Sequence, residues 1–330
     1  MTDGRRRLVV LAGFLISAAA LYLVLRTLDL GQAVDVVTSA DPLPLVAIVG
    51  VVAIQVALRA FRWSLLLPDR PEGGRIPFPR LIPPLLIGYL GNAILPARLG
   101  EPMRAVIASR TERVGVPEAL GTVLVERVVD VATLAPIAFL AALLVGAPAL
   151  VTQVLGVTAA GGIAIVVVLT TIGVMPLVRL ADRLGLSGRP RIRELIARFA
   201  ESLGGPSRRP VIMAAVGLSG IAWLLDATSF WLAATSVDSG LDYPAAMLVD
   251  GVTVLGTAVP SAPGYVGTFE LAGAGMAGAL GVRPAPAFAL ALLAHVMTLV
   301  PLAIGGSISL IAMGARLGDV ASAAAATGRD

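Results

Sequence analysis

Apolar runs long enough to cross a bilayer recur along almost the whole chain. A helical span needs about 20 consecutive apolar residues. Runs over 8–25, 43–67, 117–145, 151–178, 211–234 and 285–315 approach or exceed that length. Composition agrees: 57% of residues are hydrophobic and 14% charged, where a soluble domain carries roughly 25% charged residues. The runs are too long and too continuous for barrel strands, which alternate in short segments. The chain is therefore expected to be an all-α, polytopic integral membrane bundle. One transmembrane domain is expected over 1–316, with a disordered tail over 317–330. A basic stretch between the fourth and fifth spans has Ile192, Leu195, Ile196, Phe199 and Leu203 at helical spacing. It predicts an amphipathic helix over 191–203 at the membrane surface.

The arginines fix an orientation. All 25 basic residues are arginine. With the N-terminus in the cytoplasm, twenty-two of these 25 fall on the cytoplasmic side, as the positive-inside bias requires. The C-terminus is then cytoplasmic too. The same topology leaves two apolar segments too short to cross. One lies between the arginine-rich loops around Arg80 and Arg98, so it must enter and leave from the cytoplasm. The other follows the polar 235–243 loop and must enter and leave from outside. Two oppositely oriented re-entrant broken helices are expected, over about 81–100 and 244–280. Short, Gly/Pro-broken segments in corresponding halves are the mark of an inverted repeat with a binding site between them.

Charge within the third long run sharpens the expectation. Glu126, Arg127 and Asp130 lie roughly 14–20 Å into their helix at 1.5 Å per residue. Each charge at that depth costs about 2.5–3.5 kcal/mol, against about 0.3–0.6 returned by each Leu, Ile, Phe or Val. The three must be paired or face water. Arg127 and Asp130 are three apart and can meet. Glu126 needs a cation from elsewhere, and Arg98 or Arg104 is expected to supply it. Two readings follow: a structural ion-pair network, or a polar cavity for a charged headgroup or ion.

Around this cluster, Asn92 to Glu101 reads as a broken helix. Gly91 and Gly100 permit unusual backbone and Pro96 removes a donor. The freed amides and the Arg98 fork suit a phosphate. Gly264 and Gly267 allow close backbone approach in the second broken segment, and Glu270 sits at a helix start. Asp226 and Asp250 are embedded acids, readable as proton or ion sites or as caps and interhelix hydrogen bonds. His295 reads as a packing residue or a proton relay. Cysteine is absent and His295 is the one histidine, so no thiolate or multi-histidine metal site is expected. Without lysine there is no Schiff-base chemistry. No nucleotide-binding loop is present.

Three motifs carry a resemblance. N-A-I-L-P-A-R-L-G-E-P-M-R, then L-V-E-R-V-V-D-V, then V-P-S-A-P-G-Y-V-G-T-F-E resemble the transmembrane domain of lysylphosphatidylglycerol synthases, including its free-standing, flippase-like members. In full-length synthases that domain is thought to move aminoacylated lipid between leaflets, while a separate soluble domain makes the lipid. The chain stops soon after its last span, so the resemblance implies lipid translocation or binding rather than synthesis. The expected activity is that of a lipid translocase in the cytoplasmic (inner) membrane of a prokaryote, not of an enzyme. Its expected ligand is a membrane lipid with a polar or anionic headgroup, bound by Asn92, Arg98, Glu101, Arg104, Glu126, Arg127, Asp130, Gly264, Gly267 and Glu270. No cofactor, metal, catalytic residue or nucleic-acid partner is expected. A lipid- or glycan-modifying enzyme is the expected protein partner. Two rival readings stay open. One is a membrane enzyme acting on a lipid-linked substrate through Glu101, Glu126 or Asp130. The other is a non-transporting scaffold for a neighbouring enzyme.

Overall fold

Aspartate and proline mark where many of the helices begin. A computed structural model describes residues 3–70, 72–95, 98–171 and 208–314, with Arg179, Arg183 and Gly318 besides. Every element among them is helical. After α1 (Asp3–Leu25), Asp29 caps α2 (Leu30–Thr38) by accepting from Gly31 N and Gln32 N. Asp41 caps α3 (Pro42–Leu66) in the same way, with Pro42 in its first turn, where a missing N–H is harmless. A 3-10 turn at Phe78–Leu81 leads into α4 (Ile82–Ile94), followed by α5 (Gly100–Glu112). Pro117 opens α6 (Val116–Leu144) as its position predicts, and α7 (Ala149–Thr171) returns. Then come α8 (Arg209–Ser236) and α9 (Tyr243–Gly256), the latter capped by Asp242. A 3-10 turn at Pro263–Tyr265, α10 (Thr268–Ala279) and α11 (Pro284–Ala312) complete the described chain.

Among the described residues, five helices, α3, α6, α7, α8 and α11, are long and apolar enough to cross a membrane. A sixth crossing is available if the bent pair of α1 and α2, meeting at 91°, counts as one. This is a multi-pass, all-α membrane protein. The short helix α2 was not expected from the sequence. The expected helix over 191–203, the end of the fourth run beyond Thr171, and the tail over 317–330 (apart from Gly318) lie outside the described residues.

Two helical hairpins sit among the long helices. At 1.5 Å per residue, α4 and α9 are about 20 Å long, short of the roughly 30 Å hydrocarbon core. In the first hairpin, α5 packs back on α4. A Cβ on Gly100 would lie 1.8 Å from the Gly88 carbonyl oxygen, and one on Gly91 would lie 2.8 Å from the Gly100 Cα. Only glycine fits that crossing. In the second, α10 packs on α9, with Gly273 beside Thr253.

Contacts at the ends of α3 and α8 fix the sense of the two hairpins. The Arg208 guanidinium donates to the Leu66 carbonyl at one end. Asp41 N donates to the Ser236 carbonyl at the other. So α3 and α8 run antiparallel. The first hairpin begins at the Leu66 end and leads into α6 there; the second begins at the Ser236 end and leads into α11 there. They open at opposite ends of the bundle, and their tips meet inside it.

Candidate functional site

Two acids on α6 anchor the site. Glu126 is 0% exposed and Asp130 3%. Arg62 of α3 reaches both: its Nη2 donates to Glu126 Oε1 at 3.0 Å and its Nη1 to Asp130 Oδ1. Arg104 of α5 donates to the other Glu126 oxygen. Arg127 Nη2 lies 3.4 Å from Asp130 Oδ2. From α8, Ser219 Oγ donates to Asp130 Oδ1 at 3.3 Å and the Trp223 indole to the Asp130 carbonyl at 3.2 Å. Both expected contacts are therefore present, Arg127 with Asp130 and Glu126 with Arg104. The insertion cost of the α6 charges is met by cations from α3 and α5, which ties the first hairpin to two long helices.

Beside this network lies a cavity of about 220 Å³. Its polar wall includes Arg59, Arg104, Arg127, Glu101, Asp226, Gln55, Asn92, Thr257 and His295, and its apolar wall Leu85, Trp223, Phe269 and Leu299. Arg127 is the most open of the cations, with 40% of its side chain exposed, and its Nε is 3.6 Å from Glu101. Arg59 stacks over the Trp223 ring at 4.9 Å and meets Asp226 at 4.0 Å. Gln55 Nε2 donates to Asp226 Oδ1 at 3.2 Å. On the far side, His295 Nδ1 is 2.6 Å from Glu270 Oε1, and its ring stacks on Phe269 at 4.1 Å. Glu270 Oε2 accepts from Gly267 N at 2.6 Å, closing the start of α10.

The hairpin tips form the cavity's end wall. Arg98 donates to the carbonyl of Thr257, the residue that caps the C-terminus of α9, at 2.5 Å, where the helix dipole favours a cation. Its guanidinium also lies 5.3 Å from the Tyr265 ring centre. Arg98 and Tyr265 both have left-handed backbone, at φ 53° and 60°, a conformation costing of order 1–3 kcal/mol each in non-glycine residues. Beyond this contact lies a second cavity of about 200 Å³, lined by Val10 of α1, Leu95, Arg98 and 258–263. Asn92 and Tyr265 face both cavities. The tips are the partition between the two cavities.

The structure distributes the expected residues over three places. Asn92, Glu101, Arg104 and Arg127 line the first cavity. Glu126, Asp130 and Glu270 are buried behind it, orienting Arg104, Arg127 and His295. Arg98 belongs to the partition and second cavity, while Gly264 supplies a left-handed turn at φ 67° and Gly267 a close approach to α1. A Cβ on Gly264 would be 3.4 Å from the Ala93 carbonyl oxygen, and one on Gly267 2.4 Å from that of Ser17 on α1. Pro96 lies outside the described residues. Sequence reasoning passed over Arg59, Arg62 and Gln55. The available signal was the spacing: Gln55, Arg59 and Arg62 fall on one face of a run that also spans.

Residues 10–306 match the family described as Lysylphosphatidylglycerol synthase TM region. The chain belongs to that family. It is also 28% identical, over 354 aligned positions, to glycosyltransferase AglD of Haloferax volcanii. That alignment covers 94% of this chain and 55% of the relative, so the chain spans about half the length of the curated relative it matches. As in the resemblance read from the three motifs, the family match takes in both hairpins and the cavity between them.

Proposed function

We propose that this family member is a lipid translocase. It moves a lipid with a phosphate-bearing headgroup between leaflets without changing it chemically. The observation that carries this reading is the cavity itself. Three arginines, Arg59, Arg104 and Arg127, face one space at the meeting point of two hairpins that open at opposite ends of the bundle. Guanidinium groups bind phosphate through forked, charge-assisted hydrogen bonds. Half-helices meeting mid-bundle around a polar cavity are the architecture that alternating access uses. A second cavity across the partition supplies the other side of the path. Family membership and the relative's name support a role in lipid or glycan modification. The orientation with both termini in the cytoplasm belongs to the same proposal and rests on the arginine distribution.

Arg127 has the leading role as the headgroup contact, because it is the most exposed cation in the wall. Arg104 supports it from a buried position. Arg98 acts differently: it holds the two tips together through Thr257 and must release for lipid to pass. In reconstituted vesicles, a labelled lipid is expected to change leaflet and to be recovered with unchanged mass. Recovery of a chemically altered lipid would favour the enzyme reading instead.

The relative's name, a glycosyltransferase, beside the lipid named in the family description, motivates one version of the cargo, a glycan-bearing lipid. Competition between a polyprenyl phosphate and phosphatidylglycerol for movement by the purified protein tests that version.

A further inference from the structure

Asp250 lies in the middle of α9 and is 1% exposed, with its Oδ1 buried and without a hydrogen-bond partner among the described residues. The mechanism above leaves it unused. Isolated carboxylates in such surroundings cost several kcal/mol even after relaxation. The charged groups close enough to act on it are Asp226 of α8 and Arg59 of α3. Packed against the same helix, α6 presents Leu134 and Ala138 beside Gly251, and the acid of α10, Glu270, is occupied by Gly267 N and His295. Val254, one turn along α9 from Asp250, lines the first cavity, as does Asp226. The two acids thus stand on packed neighbouring helices, Asp226 in the cavity wall and Asp250 buried behind it.

Charge balance gives this pair a task. Around the cavity, Arg59, Arg62, Arg104 and Arg127 are matched by Glu101, Glu126, Asp130 and Asp226. Asp250 is a fifth acid; the fifth cation, Arg98 in the end wall, is held by the Thr257 carbonyl, and among the described residues no cation forms an ion pair with Asp250. An anionic headgroup that takes Arg59 from Asp226, its partner at 4.0 Å, adds one more uncompensated negative charge in a poorly solvated space. The way to remove it is to protonate the acid released.

We propose that an anionic headgroup and a proton bind this protein together, with the Asp226–Asp250 pair as the proton site. The inference rests on the headgroup reading of the cavity. On binding, a carboxylate oxygen of the pair forms an O–H bond with a proton drawn from water. When the headgroup leaves, Arg59 returns to Asp226 and the proton is released, at the end of the bundle then open. Linkage makes the coupling reciprocal: headgroup binding drives proton uptake, and low pH tightens headgroup binding. Lipid movement would thereby draw on a proton gradient.

Calorimetry on the full chain in detergent tests this, with dioctanoyl phosphatidylglycerol as the probe. At one pH, the binding heat in two buffers of different ionisation enthalpy is expected to report net proton uptake. Affinity is expected to rise as pH falls, by up to about tenfold per pH unit for one linked proton. Asp250→Asn should reduce the uptake, and Asp226→Asn with Asp250→Asn should abolish it. Binding without proton uptake in the wild type overturns the coupling and leaves the headgroup reading standing. No binding at all overturns both. Undiminished uptake in Asp250→Asn, or in the double variant, moves the proton elsewhere and overturns the assignment. Should the double variant fail to fold, the wild-type arms decide the coupling and the single variants Asp226→Asn and Asp250→Asn decide the assignment.

Discussion

Arg62 holds two buried acids at once, and its own side chain is 2% exposed. Breaking a buried pair by removing one partner typically costs about 3–5 kcal/mol, and here two carboxylates lose a partner. Arg62→Met is therefore expected to lower thermal stability sharply, measured as the melting temperature in detergent. Adding Asp130→Asn should recover part of the loss. Arg127→Ala differs, because Asp130 keeps Arg62. Stability should stay near wild type while headgroup affinity falls, by roughly 10- to 150-fold for a charge-assisted contact of about 1.5–3 kcal/mol. Glu126, Arg127, Asp130 and Arg104 were legible in the sequence because charge deep in an apolar run must find a counter-charge. Arg62 was not: it stands close to an arginine-rich loop and reads as an interfacial anchor. The role of Arg98 was half legible. Its broken-helix setting was visible, but its partner, the Thr257 carbonyl 159 positions away, carries no side-chain signal.

Among the elements, the hairpins depend on backbone contact rather than side-chain fit. Gly100 has the Gly88 carbonyl where a Cβ would go, at 1.8 Å, and backbone on a packed helix cannot step aside. Gly100→Ala is expected to force α4 and α5 apart and to collapse folded yield, read by size-exclusion chromatography. Gly161→Ala on α7 is the control, since nothing lies within 4 Å of a Cβ there. The sequence made the interruptions readable through Pro83, Pro84, Gly88 and Gly91. It did not separate the tight crossing at Gly88 from the loose position at Gly161, because both are glycines in apolar helices. Short α2 escaped for a different reason: its nine residues are amphipathic but too few to be told from the loop between two spans. What its sequence did hold was Asp29, whose carboxylate caps the first turn.

In the whole molecule, the proposed orientation opens the two hairpins to opposite sides of the membrane. The cysteine-free background allows single reporters. Ser239→Cys, between α8 and α9, is expected to react with an impermeant thiol reagent added outside intact cells. Glu72→Cys, between α3 and α4, is expected to react only after the membrane is opened. Reaction of Glu72→Cys from outside would reverse the orientation. Lipid translocation is read out by leaflet exchange in vesicles holding purified protein and a fluorescent phosphatidylglycerol, with a membrane-impermeant quencher added outside. Fluorescence protected in the inner leaflet is expected to be lost faster than in protein-free vesicles, and Arg127→Ala, folded and inserted, is expected to return the rate to the protein-free level. Equal rates with and without wild-type protein, for phosphatidylglycerol and for a polyprenyl phosphate alike, would contradict translocation.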